Sequence, residues 1–348
     1  MTATNSIIQS AFLRDVLDQP KALALTLQKL EVQPSLRKVA AQLKAGAFRR
    51  VVLTGMGSSV FTPYPLHVEL SEKGYSSIVA ETSELIYYLS GLLDPTTLIV
   101  AVSQSGRSAE IVRLLECNDG RATIVGVTNE PESPLGSRAD CVLLTHAGEE
   151  FSVSCKTYIT GLAALRMLGA VLCGRDTEQE RTELMQAVPA VEAYLKLWEK
   201  HAAELVSKGE GVRHWILMGR GPSLAAARTG ALTIEESVRI PAEGMSSGAF
   251  RHGPIEMLGP ETFVLVFVGG GPGVALNVSL HEHIRKLGHR TALIGDGAES
   301  ALRLPSAPES VRPILEIIPI QMLILGLASR MSIEPGRFLF ATKTTTQE

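Results

Sequence analysis

Two rhythms of apolar residues alternate along this chain. Short apolar, β-branched runs recur at 50–53, 77–80, 98–102, 124–127 and 141–144, and again at 214–218, 263–268 and 291–294. Runs of this length, apolar at nearly every position, predict strands buried on both faces. Between them the apolar residues keep helical spacing, as at Ile111, Val112, Leu114 and Leu115. Strands alternating with helices predict an α/β protein with parallel sheets, each flanked by helices in three layers. Residues 7–44 read as helical through Ile8, Phe12, Val16 and Leu17, with an interruption at Pro20 and renewed apolar content at Leu23, Leu27 and Leu30. Residues 175–210, rich in charge from Arg181 to Lys200, read as a solvated helical connector.

The second half repeats the first. His214-Trp215-Ile216-Leu217-Met218-Gly219-Arg220-Gly221 echoes Arg50-Val51-Val52-Leu53-Thr54-Gly55-Met56-Gly57, and the later strands correspond at a nearly constant offset. That is the mark of an internal duplication. It divides the chain into N-terminal helices (1–44), a first α/β domain (45–205), a second (206–335) and a tail (336–348).

The copies differ where strands end. After the strand at 98–102 comes Ser103-Gln104-Ser105-Gly106-Arg107-Ser108-Ala109-Glu110; after 263–268 comes Gly269-Gly270-Gly271-Pro272-Gly273, without hydroxyls. A strand-to-helix turn presents helix N-terminal N–H groups, which favour an anion. Ser103, Gln104, Ser105 and Ser108 can add side-chain donors to such a cradle; the alternative is an ordinary N-cap. Gly57-Ser58-Ser59 lacks the third glycine of a dinucleotide fingerprint and reads as a second lip of the same site, or as a bare tight turn. Ligands of parallel sheets bind beyond the strands' carboxyl ends, where both turns lie.

Ser103-Gln104-Ser105-Gly106-x-Ser108-x-Glu110 resembles the phosphate loop of sugar isomerase (SIS) domains. The likeness is greatest to the isomerase half of glucosamine-6-phosphate synthases, and it runs from about residue 45 to the C-terminus. Glu150 to Lys156 resembles a family stretch in which a serine faces the sugar, here Ser154 with the register one residue short; Ser152 or Ser154 as an N-cap is the alternative. Gly219-Arg220-Gly221, a helix bearing Glu235 and Glu236, and a loop ending in Arg251-His252-Gly253-Pro254 resemble the family's catalytic copy. The resemblance implies two tandem SIS domains. It places Glu236 on the proton-transferring glutamate and His252 on the ring-opening histidine. It also makes Lys343 the counterpart of a tail lysine that closes over the sugar; a solvated tail lysine is the alternative. Thr233 stands where relatives carry a lysine, which speaks against the same amino-sugar substrate.

This chemistry fits the residue types. Moving a carbonyl between C1 and C2 requires a carboxylate base and a group that shuttles protons, for which an imidazole titrates in the useful range. The expected reaction is isomerisation, or release of ammonia or an amine, on an (amino)sugar 6-phosphate. An amino-acid–sugar-phosphate deglycase and a non-catalytic sugar-phosphate sensor are the alternatives. Glutamine-dependent synthesis is not expected, because Thr2 stands where the family's glutaminase domain carries a cysteine. The resemblance also implies a homodimer whose histidine loop enters the neighbouring subunit's site.

Charge and cysteines narrow the partners. A formal charge of −3 excludes a basic nucleic-acid surface. Cys117, Cys141, Cys155 and Cys173 lack metal-ligand spacing, and His281-x-His283 has no evident third ligand, so neither metal nor cofactor is expected. The apolar run 314–327, broken by Glu316, Pro319 and Gln321, reads as unable to span a membrane. No basic n-region leads into an apolar h-region at the N-terminus, and a cytoplasmic protein is expected.

Overall fold

A computed structural model describes residues 10–308 and 311–347. It contains two parallel sheets. The first is ordered β2-β1-β3-β4-β5, from β1 (Arg50–Gly55), β2 (Ser77–Glu81), β3 (Thr97–Val102), β4 (Thr123–Thr128) and β5 (Cys141–Leu144). The second is ordered β7-β6-β8-β9, from β6 (His214–Gly219), β7 (Ala242–Ser246), β8 (Thr262–Phe267) and β9 (Arg290–Ile294). All pairings are parallel. The two orders superpose strand for strand, β1 on β6 and β3 on β8, except that the second sheet stops one strand short. The central strands β3 and β8 are buried at every position, which requires cover on both faces.

The chain forms two compact units, and it interleaves them. The first-sheet unit comprises Lys21–Glu150, Lys156–Gln186 and the described part of Phe340–Glu348. The second-sheet unit comprises the described part of Met1–Pro20, with Phe151–Cys155 and Ala187–Leu339. The linear boundaries drawn from the sequence therefore differ from the compact units at several points. The helix Ala11–Leu17 sits with the second sheet, whereas Gln19–Lys29 runs into the first-sheet unit. Ile8 lies outside the described residues.

Three local readings need correction. Residues 187–208 are not a solvated connector. Their helices Ala187–Leu195 and Trp198–Lys208 bury Val191, Tyr194, Leu195, Ala202 and Leu205 in the second-sheet unit. The charged stretch before them is also integrated: Glu180 joins Arg166, Arg175 and Glu69 in an ion-pair cluster of the first-sheet unit. Secondly, the run at 314–327 is one unbroken helix, Arg312–Met331, despite Pro319. Interior proline costs about 3 kcal/mol, but here nearly every flanking side chain from Pro313 to Ala328 is buried, against the helices Trp198–Lys208 and Ser223–Val238 among others. Among the described residues it is the one helix long and apolar enough to cross a bilayer, and 83 % of its apolar window is buried in the protein. Thirdly, the stretch between the helix bearing Glu235 and Glu236 and the loop end at Arg251-His252-Gly253-Pro254 is not all loop, since Ala242–Ser246 pairs with β6 as an edge strand.

Candidate active site

The cradle is built where β3 ends. Ser103 N–H donates to Val127 O at 3.0 Å, which prolongs the β3–β4 pairing by one residue. The Ser103 hydroxyl then accepts Gly106 N–H at 3.1 Å and closes the turn. Gly106 has φ +61°, a left-handed conformation that side chains disfavour, and a Cβ there would overlap Ser133 Oγ. Gln104 O accepts from Asn129 N–H (3.0 Å) and from the Thr128 hydroxyl (3.2 Å), so the end of β4 holds the loop from below. The helix Ala109–Asn118 follows, with Ser108 as its N-cap residue. The Ser108 hydroxyl makes no capping hydrogen bond, so the simple N-cap reading does not account for it.

The second lip lies on the neighbouring strand. β1 pairs directly with β3, and at its carboxyl end Gly57 (φ +54°) leads into the short helix Ser58–Phe61. A Cβ at Gly55 would lie 2.6 Å from the Ser59 backbone, so only glycine lets the chain fold back over the strand end. The structure thus brings Gly57, Ser58 and Ser59 to the same sheet end as Ser103, Gln104, Ser105 and Ser108.

The tail also reaches this unit. Lys343 Nζ donates to Glu150 Oε2 at 2.6 Å, and Thr345 O accepts Ala109 N–H at 3.0 Å. Lys343 is therefore engaged in an ion pair and is not a solvated tail lysine. Glu150, wholly buried, is a residue that sequence reasoning quoted but did not single out. The available signal was a carboxylate just ahead of the apolar helix Lys156–Leu172, where a buried charge demands a partner. Ser154 is half-buried in a segment that packs with the second-sheet unit. There Asp15 accepts from the backbone N–H groups of Phe151 (2.8 Å) and Ser152 (3.0 Å).

Glu235, Glu236 and His252 belong to the second-sheet unit. The helix Ser223–Val238 carries both glutamates in its last turn, exposed, and ends at Arg239 in a left-handed conformation (φ +57°). The Glu235 carboxyl is pushed above its usual range, first by partial burial and then by Glu243, against an opposing hydrogen bond from the Ala242 backbone. Glu243 itself faces His214 across the β6–β7 edge at 3.3 Å. The histidine loop is pinned from beneath. Phe250 is fully buried, and the buried Ser247 hydroxyl donates to Asn277 Oδ1 at 2.6 Å. Arg251 and His252 are left exposed on this support. The Arg220 guanidinium lies against Gly248, where a Cβ would come within 3.2 Å of it. His283 pairs with Arg251 (3.1 Å) and His281 with the Thr291 hydroxyl (3.1 Å), so the two histidines serve separate contacts.

Comparison with known proteins follows this duplication. A family model described as SIS domain matches residues 47–171 and 211–328. The glutamine–fructose-6-phosphate aminotransferase (isomerizing) of Pyrococcus horikoshii is 30 % identical over 97 % of this chain and 57 % of its own length. That of Pyrobaculum aerophilum is 32 % identical over 97 % and 57 %. The chain thus spans little more than half the length of these curated relatives. Among solved structures, the C-terminal domain of glucosamine-fructose-6-phosphate aminotransferase from Francisella tularensis superposes with a TM-score of 0.82 at 21 % identity, covering 94 % of this chain and 98 % of that one. Glucosamine-6-phosphate deaminase from Thermotoga maritima gives 0.78 at 19 % identity, covering 97 % and 100 %.

Proposed function

The chain belongs to the SIS domain family, and from that premise we propose that it is a phosphosugar isomerase-type enzyme acting on a sugar or amino-sugar 6-phosphate. One observation carries the reading: the hydroxyl-rich loop after β3 is fixed from within, its Ser103 hydroxyl accepting Gly106 N–H, while the Ser108 hydroxyl is not spent on capping. A loop of that kind at a helix N-terminus suits a dianion. Its counterpart after β8 is a glycine run without hydroxyls, so phosphate binding is assigned to the first copy alone.

In this reading Gly57, Ser58, Ser59, Ser103, Gln104, Ser105 and Ser108 bind the phosphate end, and Ser154 contacts the sugar. His252 opens the ring by moving a proton between ring oxygen and hydroxyl. Glu236 takes the proton beside the carbonyl and returns it to the neighbouring carbon, through an enediol or, for an amino sugar, an enolamine. Lys343 meets the carbonyl end. Binding energy from the remote phosphate holds the reacting carbons in place, which is how a non-reacting group raises a rate. Ammonia or amine release is the expected outcome with an amino sugar, and the functional form is a homodimer with shared sites.

The test is direct. The protein is incubated in D₂O with a panel of hexose, hexosamine and fructosamine 6-phosphates, and deuterium at C1 or C2, ketose, ammonia and free amine are measured. Exchange into at least one sugar phosphate, and into none of the unphosphorylated sugars, is the expected result. Absence of exchange across the panel, with sugar phosphates still bound, overturns the enzyme and leaves a sensor. Release of an amino acid without ammonia selects the deglycase.

A further inference from the structure

The tail's ion pair does more than hold a lysine. Glu150 is fixed without it: Oε1 accepts Thr157 N–H at 2.9 Å and Oε2 accepts the Thr157 hydroxyl at 2.7 Å. Thr157 lies in the first turn of the helix Lys156–Leu172, where the dipole favours a carboxylate. The acceptor is therefore in place before the tail docks. Its side chain is wholly buried, whereas that of Lys343 is 29 % exposed, so the pair is anchored inside and reached from outside. Two residues further on, Thr345 O takes Ala109 N–H, the first amide of the cradle helix. The tail bends at Lys343 and Thr344 between these two contacts, so the anchors fix a run of backbone and not one side chain. All of these contacts lie within the first-sheet unit.

We propose that Glu150 is a positioning residue: through Lys343 it docks the C-terminal tail so that Thr345 closes the first amide of the cradle helix. The proposal rests on the reading of this loop and tail as parts of the site, but its test needs no turnover. Hydrogen exchange is measured on wild type, Glu150→Gln, Lys343→Met, Lys343→Arg and the Glu150→Gln/Lys343→Met double variant. A hydrogen bond between charged groups corresponds to roughly a 10–100-fold equilibrium. Lys343→Met and Glu150→Gln should each speed exchange of the Ala109 amide at least about tenfold, with the β3 amides unchanged. The double variant should match either single one, and Lys343→Arg, which keeps the cation, should stay protected.

An unchanged Ala109 amide in Lys343→Met overturns the proposal, as does an arginine variant as open as the methionine one. If Glu150→Gln lowers stability and exposes the Thr157 amide while Ala109 stays protected, Glu150 merely supports its helix and the proposal falls. Should Glu150→Gln fail to fold, the two Lys343 variants decide from the solvent side. Loss of turnover in Lys343→Arg with the tail still docked upholds the positioning role and shows that the amine has chemistry of its own. Full turnover with an undocked tail defeats the positioning role and leaves the enzyme reading intact.

Discussion

Gly106→Ala tests the cradle's construction most severely. The added Cβ lies inside contact distance of Ser133 Oγ, 2.7 Å from Ser133 Cβ and 2.9 Å from Thr128 Oγ1. Three costs follow. Holding alanine at φ +61° costs about 1–2 kcal/mol. Relieving the overlap costs about 1–3 kcal/mol as overpacking. Ser133 cannot retreat freely, because its hydroxyl donates to Glu130 O at 2.7 Å and accepts Gly136 N–H at 3.1 Å as the N-cap of the helix Pro134–Arg138. Losing that cap is worth about 1 kcal/mol. The total is about 3–6 kcal/mol, a large fraction of a typical domain's stability. In a Ser133→Gly background the Ser133 overlap and its cap are already gone and only the 2.9 Å approach to Thr128 Oγ1 remains, so the same substitution should cost the backbone share plus a small remaining overlap, about 2–3 kcal/mol. Native-state exchange of the Val100 and Ala101 amides reports the first-sheet unit by itself. Equal losses in both backgrounds, or no loss in the first, would refute the packing argument.

Other predictions are simpler to test. Glu236→Gln should lower kcat about 10²–10⁴-fold with little change in KM, whereas Glu235→Gln should be nearly neutral; collapse of C1 or C2 exchange only in the Glu235 variant would show the base to be misassigned. The raised Glu235 carboxyl favours the fold below its unfolded value, and that contribution disappears as pH rises through the folded value. Glu235→Gln should therefore gain Tm relative to wild type as pH goes from 4 to 7, and a gain that grows on acidification would contradict this. Ser105→Ala should weaken sugar-phosphate binding by about 1.5–3 kcal/mol and leave unphosphorylated sugars unaffected by calorimetry. It is a cleaner probe than Ser103→Ala, because it removes only a long, exposed contact from Arg107 N–H (3.4 Å), whereas Ser103→Ala removes the buried 3.1 Å Gly106 hydrogen bond. Cys173, pushed up to about 11 first by burial and then by Glu69, should carry only about 0.1 % thiolate at pH 8 and resist iodoacetamide until the fold opens, as read by peptide mass spectrometry.

What the sequence reveals is what periodicity encodes. β3 and β8 are apolar throughout and are read directly, and the hydroxyls after β3 stand out against the glycines after β8. β7 escapes because Ala242-Glu243-Gly244-Met245-Ser246 has neither β-branched residues nor alternation. Its strand geometry comes from pairing with β6, and Gly244 is needed because a Cβ there would strike the Arg228 backbone. The helices at 187–208 are disguised by charges on their outer faces while Tyr194 and Leu205 point inward. The Glu150–Lys343 contact joins residues 193 apart, and no local pattern marks one acid among many as the fixed one.

The interleaved path of the chain bears on the order of events during synthesis. The buried Gln19 side chain exchanges two hydrogen bonds with Gln321, at 2.8 and 3.0 Å, across a separation of 302 residues. At roughly 5–20 residues per second, the ribosome needs on the order of 15–60 s to deliver the second glutamine after the first. Through that interval the helix Ala11–Leu17, with Phe12, Leu13 and Val16 destined for the interior, waits for the unit that receives it. The first sheet, whose strands are contiguous in the chain, can close in the meantime. On that order of synthesis the nascent protein is expected to pass through a stage in which the first sheet is complete while this apolar helix still lacks its partners, the kind of exposed surface on which aggregation begins.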